Sequence, residues 1–250
     1  MSSVQTPFAK TVIVGHRGAR QEAPENTLAG FQLLRDLGIH HVELDLRLSK
    51  DNQLVVIHDK TVDRTTEHSG GISDFTAANL AKMNAAHHFS NWDSHLGIPL
   101  LDEVLAKWQE LKSIQLEVKP PSKDQFPKLA MELTNLVQLH HLEKQAIVTS
   151  SDTRFLAYMQ KHCPSIKRGF VATRFSRNPI DTCKQLRCYY LVLDWRRCNK
   201  KLVRKAHALN LHISVWTVNT INAAQTVSSY GVNSIITDVP SRLAPLFHTR

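Results

Sequence analysis

The stretch His41-Val42-Glu43-Leu44-Asp45-Leu46-Arg47-Leu48 alternates as a β-strand does, with Val42, Leu44 and Leu46 on one face and Glu43 and Asp45 on the other. Two carboxylates on one buried face repel each other and call for a counter-ion, and a divalent cation held by oxygen ligands meets that need. Taken alone, the segment could also be an edge strand with a solvated acidic face. Its neighbours decide the matter. Upstream, Val12-Ile13-Val14-Gly15 reads as a buried strand. Asn26-Thr27-Leu28-Ala29 then opens a helix with apolar positions at Leu28, Phe31, Leu34 and Leu37 and a stop at Gly38, Asn26 serving as its N-cap and Pro24 fixing the entry. Downstream, Lys50-Asp51-Asn52 makes a turn into Leu54-Val55-Val56-Ile57, a hairpin strand ending at His58-Asp59.

From about 60 to 100 the periodicity weakens around Ser69-Gly70-Gly71, as expected of an insertion after the second strand region. A helix over 101–111 follows, then the strand Ile114-Gln115-Leu116-Glu117-Val118-Lys119, stopped by Pro120-Pro121. Further strands read at 146–149, 169–172, 190–193, 213–218 and 234–237, separated by amphipathic helices over 126–139, 153–162, 180–186, 200–209 and 221–229. With the hairpin strand set aside, eight strand–helix units remain. That count predicts a closed parallel TIM (β/α)8 barrel rather than an open sheet, with residues 1–250 as one domain.

Composition agrees with such a barrel. The chain has 250 residues, 42% of them hydrophobic, enough for a sizeable core. No stretch has the length of a membrane span, and the opening residues lack the apolar core of a secretory signal, so a cytoplasmic protein is expected. Cys163, Cys183, Cys188 and Cys198 form no CxxC pair and suit reduced thiols rather than a metal site. The net charge of +9 favours anions without choosing among phosphorylated substrates, membranes and nucleic acid. The basic run Arg196-Arg197-Cys198-Asn199-Lys200-Lys201 has neither stacking aromatics nor a reader motif, and it reads as a solvated helix face.

Barrel enzymes carry their chemistry at the C-terminal ends of the strands. There this chain has His16-Arg17, Glu43, Asp45, His58, Glu117, Lys119, Trp216 and Asp238. His16-Arg17-Gly18, Pro24-Glu25-Asn26-Thr27, Glu43-x-Asp45, His58-Asp59 and Glu117-x-Lys119 together resemble the glycerophosphodiester phosphodiesterase family. The likeness extends through Asp63-Arg64-Thr65-Thr66, Ile98-Pro99-Leu100-Leu101, Trp216-Thr217-Val218-Asn219 and Thr237-Asp238, and covers about 12–245.

The resemblance implies a phosphatidylinositol-phospholipase-like barrel and hydrolysis of glycerophosphodiesters to glycerol 3-phosphate and an alcohol. It implies one divalent cation, Mg2+ or Ca2+, on Glu43, Asp45 and Glu117, all hard oxygen donors. His16 and His58 become the general acid/base pair, with His58 assigned as the acid. Arg17 and Lys119 become the phosphate-binding cations, and Trp216 an apolar wall for the glycerol carbons. Pro24-Glu25-Asn26-Thr27 is expected to position His16. Ser150-Ser151 departs from the family's Ser-Phe pair, which removes an aromatic wall and leaves the preferred alcohol open. Water and the substrate's own 2-hydroxyl both remain as nucleophiles. Two other readings stand beside this one: a lysophospholipase D activity on lipid phosphodiesters, which needs an apolar lip, and a non-catalytic anion-binding barrel. The expected partner is a small-molecule diester, without nucleic acid and without stable membrane insertion.

Overall fold

The computed structural model of the chain describes residues 11–108 and 110–247. The opening residues 1–10, part of the stretch used in the signal reading, and residue 109, within the expected helix 101–111, lie outside them.

In chain order the first half runs β1 (Val12–His16), α1 (Leu28–Asp36), β2 (His41–Leu48), β3 (Leu54–Val56), α2 (Ala77–Leu80), α3 (Leu101–Ala106), β4 (Ser113–Val118) and α4 (Phe126–Leu139). It continues with β5 (Ala146–Ser150), α5 (Thr153–His162), β6 (Lys167–Ala172), α6 (Pro179–Gln185), β7 (Tyr190–Asp194) and α7 (Lys200–His207). Last come β8 (His212–Trp216), α8 (Ile221–Ser229), β9 (Ser234–Thr237) and α9 (Pro240–Leu243). The strand order is β1-β9-β8-β7-β6-β5-β4-β2-β3, and an added β1–β2 pairing, Gly15 opposite Val42 and His16 opposite Glu43, closes eight parallel strands into a TIM barrel.

The ninth strand explains how the site is completed. β4 pairs with β2 from His41 to Leu46, whereas antiparallel β3 pairs with Leu46, Arg47 and Leu48. Since Leu46 faces Val118 on one side and Val56 on the other, β3 occupies the edge of β2 above the point where β1 ends. Running back toward the barrel, the chain lets Ile57 N donate to Asp45 O at 3.0 Å, which sets His58 down beside the acidic strand.

Alternation does the rest. The outward side chains Val42, Leu44, Leu46, Ile114, Leu116 and Val118 pack beneath the helices, in a cluster that takes in Phe31, Leu34, Leu129 and Leu133. Each fully buried aliphatic side chain contributes roughly 1.5–3 kcal/mol, so this layer fixes which face of β2 looks inward. The interior is plugged by Val14, Val171, Val192 and Ile236, together with Gln115 Nε2 donating to Ser214 Oγ at 3.2 Å. Glu43, Asp45 and Glu117 share the inward face above this plug. Between β3 and α3, Val62, Ile72, Leu80 and Ile98 form a further apolar cluster with Val55 and Ile57 of the hairpin.

Two local expectations are corrected. The helix expected over 101–111 stops at Ala106, because the chain turns at Lys107 to bury Trp108, whose ring packs 6.1 Å from that of Phe31. The N-cap of α1 is Thr27, whose hydroxyl accepts from Gly30 N, and not Asn26. Asn26 has φ 55 and is withdrawn toward β2. Gly38 stops α1 as read, in the left-handed region at φ 69.

Gly15 is required by the packing of β1 against α1: a Cβ there would collide with the Gly18 carbonyl and the Leu34 side chain. Gly15→Ala is expected to destabilise the fold by about 1–3 kcal/mol, measured by urea unfolding. An unchanged midpoint would show that this contact yields freely.

Candidate active site

His16 ends β1, and its Nδ1 lies 2.5 Å from Asp238 Oδ1, just past β9, leaving Nε2 turned toward Glu43 Oε2 at 3.9 Å. Asp238 is itself held: Asn219 Nδ2 donates to its Oδ2 at 2.8 Å, while Asn219 Oδ1 accepts from Asp238 N at 2.9 Å and from Thr237 Oγ1 at 3.2 Å. β1 and β9 are sheet neighbours, so pairing of the first strand with the last makes this dyad. The pattern Thr237-Asp238 lay within the sequence resemblance, but nothing in local spacing ties it to His16.

Glu43, Asp45 and Glu117 stand on adjacent strands, with Asp45 opposite Glu117 in register, and one oxygen from each lies within 4.8 Å of the others. Asp45 is enclosed by cations. Arg17 Nε is 3.0 Å from its Oδ2 and Lys119 Nζ 2.7 Å from its Oδ1, charge contacts without hydrogen-bond alignment. Asn26 Nδ2 donates to the same Oδ2 at 2.9 Å. Lys119 also donates to Glu117 Oε1 at 2.7 Å. Arg17 reaches this place with φ 53, its amide donating to Glu43 Oε2 at 3.2 Å and its guanidinium to Glu25 Oε1 at 3.0 Å. Pro24-Glu25-Asn26-Thr27 therefore holds Arg17 and Asp45 directly, where the sequence had assigned it to His16.

His58 faces the cluster from the hairpin, its Nδ1 2.7 Å from Asp59 Oδ1, with Arg47 Nε donating to its carbonyl at 2.9 Å. Arg64 ties this side down by donating to Asp59 Oδ2 and, through two nitrogens, to Glu25 at 2.7 and 2.8 Å. The parts played by Asp238, Asn219 and Arg47, and individually by Asp59, Glu25 and Arg64, were not legible in the sequence, since each depends on a contact that local spacing does not show. Trp216 caps the interior apolar plug at the mouth, half-buried. Ser150 points away from the interior and donates to Val118 O at 2.7 Å.

This arrangement can be set beside known proteins. The model of the "Glycerophosphoryl diester phosphodiesterase family" matches residues 16–242. The chain belongs to that family. It is an enzyme, a phosphoric diester hydrolase of the glycerophosphodiester phosphodiesterase kind. A glycerophosphodiester phosphodiesterase of Caldanaerobacter subterraneus is 30% identical over 238 residues, covering 95% of this chain and 98% of its own, and YhdW of Bacillus subtilis is 33% identical over 234 residues, covering 91% and 94%. The fold matches that of an Oleispira antarctica phosphodiesterase solved with the product sn-glycerol-3-phosphate (TM-score 0.83, 23% identity, 94% and 96% coverage). A glycerophosphodiester phosphodiesterase from Agrobacterium tumefaciens matches it with TM-score 0.81 at 24% identity, covering 94% and 99%.

The electrostatics of this family member's site are uneven. Burial, aided by the charges of Asp45 and Glu117, pushes the Glu43 carboxyl well above the usual range. Its Oε1 is buried without a hydrogen-bond partner. Burial also opposes charge on Asp45, but Lys119, Arg17 and His58 outweigh it and hold the carboxylate ionised. The pKa of His58 is lowered, chiefly by burial, against the pull of Asp45. Lys119 and Arg17 thus keep Asp45 charged, while their pull on Glu43 falls short of the cost of its burial. With three hard oxygens converging, the cluster suits a divalent cation.

Glu25 offers a test of this charge frame. Burial opposes its ionisation, but hydrogen bonds and charge from Arg64 and Arg17 bring its pKa from the ordinary 4.5 down to about 2. A depressed carboxylate adds stability that is fully present above its unfolded value and lost as pH falls through about 2, here roughly 3 kcal/mol. Glu25→Gln should cost most of that at neutral pH and far less near pH 2, measured by urea unfolding at both. A cost independent of pH would contradict the account.

Proposed function

We propose that the chain hydrolyses glycerophosphodiesters to glycerol 3-phosphate and an alcohol, with one divalent cation, Mg2+ or Ca2+, held by Glu43, Asp45 and Glu117. The observation that carries this reading is that two histidines, each with a carboxylate on Nδ1, face a three-carboxylate cluster from different strands at one barrel mouth. When bound, the cation supplies Lewis acidity and positive charge to the phosphodiester.

The chain's own groups divide the remaining work. Asp238 holds Nδ1 of His16 and directs its Nε2 inward, which suits His16 to take the nucleophile's proton. His58, on the hairpin side, gives a proton to the departing alkoxide, with Asp59 and Arg47 fixing its ring and backbone. Arg17 and Lys119 offset the charge of the diester and its transition state. Trp216 lends an apolar face to the glycerol carbons. The substrate is a small-molecule diester, and the whole chain acts as one domain, with 60–100 as an insertion, in the cytoplasm.

Glu43 gives the cation a readout apart from turnover. Burial raises the Glu43 pKa, so proton and cation compete for this carboxylate, and Mg2+ or Ca2+ should raise Tm by an amount that shrinks as pH falls. Glu43→Gln should fold normally and lose most of that rise. A wild-type Tm unmoved by either ion, with turnover surviving exhaustive chelation, would refute the metal assignment.

The histidines separate by leaving group. His58→Ala should lose about 10²–10⁴-fold on glycerophosphocholine and much less on bis-nitrophenyl phosphate, whose leaving group departs unaided, whereas His16→Ala should lose on both. The opposite pattern would exchange the two roles.

A further inference from the structure

The loops that follow β6 and β7 leave the barrel at the same end as the candidate active site. Phe175, in the β6 loop, is 76% exposed, unusual for a large aromatic side chain. It is not on a free-swinging tail: Thr173 Oγ1 accepts from Phe175 N at 3.3 Å, and Arg197, from the β7 loop, donates to the carbonyls of Thr173 and, at 2.8 Å, Ser176. The two loops are thereby joined into one ledge, which also carries Trp195. The guanidinium of Arg174 lies 4.7 Å from the Phe175 ring centre and that of Arg196 5.2 Å from the Trp195 ring.

Beside the ledge, between the starts of α6 and α7, is a hollow of about 310 Å³ lined by Arg177, Lys201 and Lys205, with Asp181 as its one acid. Among the described residues none of these three cations has a carboxylate within ion-pair distance. The same basic run read from sequence as a plain solvated face thus has an exposed aromatic tip beside it.

We propose that this ledge is a peripheral docking surface for an anionic phospholipid bilayer, with Phe175 entering the interface and the surrounding Arg and Lys side chains meeting lipid phosphates. The charge complements such a surface, and an aromatic ring flanked by a guanidinium is suited to the level where headgroups meet acyl chains. Nucleic acid fits less well: Phe175 is the one widely exposed ring on the ledge, whereas a strand is held by stacking successive bases on several. No helix among the described residues is long and apolar enough to cross a membrane, so the contact is a surface one. It would seat the barrel mouth toward lipid while leaving the catalytic groups untouched.

The test is co-sedimentation of the full chain with vesicles of phosphatidylcholine alone and of phosphatidylcholine mixed with phosphatidylglycerol, at low and high salt, beside retention on a single-stranded oligonucleotide. Binding is expected to the mixed vesicles only and to weaken with salt. Each basic residue near the surface multiplies partitioning about fivefold, so Lys201→Glu with Lys205→Glu should lose at least about 25-fold. Phe175→Ala should lose about tenfold or more, while kcat/KM on water-soluble glycerophosphocholine stays at the wild-type value for all these variants. The proposal is overturned by wild-type protein that ignores mixed vesicles, by binding indifferent to these substitutions, or by oligonucleotide retention that exceeds vesicle binding and is lost in the same variants. Since turnover and vesicle binding are read separately, failure of one leaves the other standing.

Discussion

The burial of Asp45 against Glu117 on neighbouring strands is the constraint on which the site depends. The outward aliphatic face of β2 must pack beneath the helices, and a strand has only two faces, so the acids are driven into the barrel. Once there, they need positive charge. Arg17 and Lys119 supply it to Asp45 from β1 and β4, and the left-handed Arg17 and Asn26 are the backbone means of bringing that charge close. Glu43 receives less, and this imbalance shapes a cluster that favours a cation over a closed set of ion pairs.

Each histidine is oriented by a carboxylate on Nδ1, but the two carboxylates come from different levels of structure. Asp59 is the next residue after His58 in the chain. Asp238 is 222 positions from His16 and reaches it only because β9 pairs with β1. The dyad of His16 is thus tied to the pairing of the first strand with the last, while that of His58 is tied to the short antiparallel excursion of β3. That excursion has its own apolar cluster beneath it, through Val55 and Ile57, so the placement of His58 rests on packing outside the barrel proper.

The rim opposite the hairpin is built on another principle. Its loops carry little apolar burial and are joined by Arg197, whose hydrogen bonds to two carbonyls replace the contacts a core would provide. Such a ledge can present a large aromatic to solvent without unravelling. The basic helix α7 keeps only Val203 and Ala206 buried, which leaves its cations facing outward beside that aromatic.

Much was legible in the sequence because strand alternation and helix periodicity are local. The eight strands, the inward face of Glu43 and Asp45, and the placing of His16, His58, Glu117 and Lys119 at strand ends follow from residues within a few positions of one another. The early stop of α3 was not legible, since it depends on Trp108 finding Phe31 across the helix layer. Nor was the true work of Asn26, because an Asn before a helix is a good cap and only the nearness of Asp45 offers it something better. The sequence by itself determined a TIM barrel with an acidic cluster at its mouth. Tertiary structure alone decided that Asp238 orients His16, that Glu25 and Asn26 serve Arg17 and Asp45, and that Phe175 stands beside the basic run. Asp238 meets His16 because the last strand pairs with the first, whereas the other contacts arise between neighbouring strands and turns, where side chains meet that no local periodicity relates.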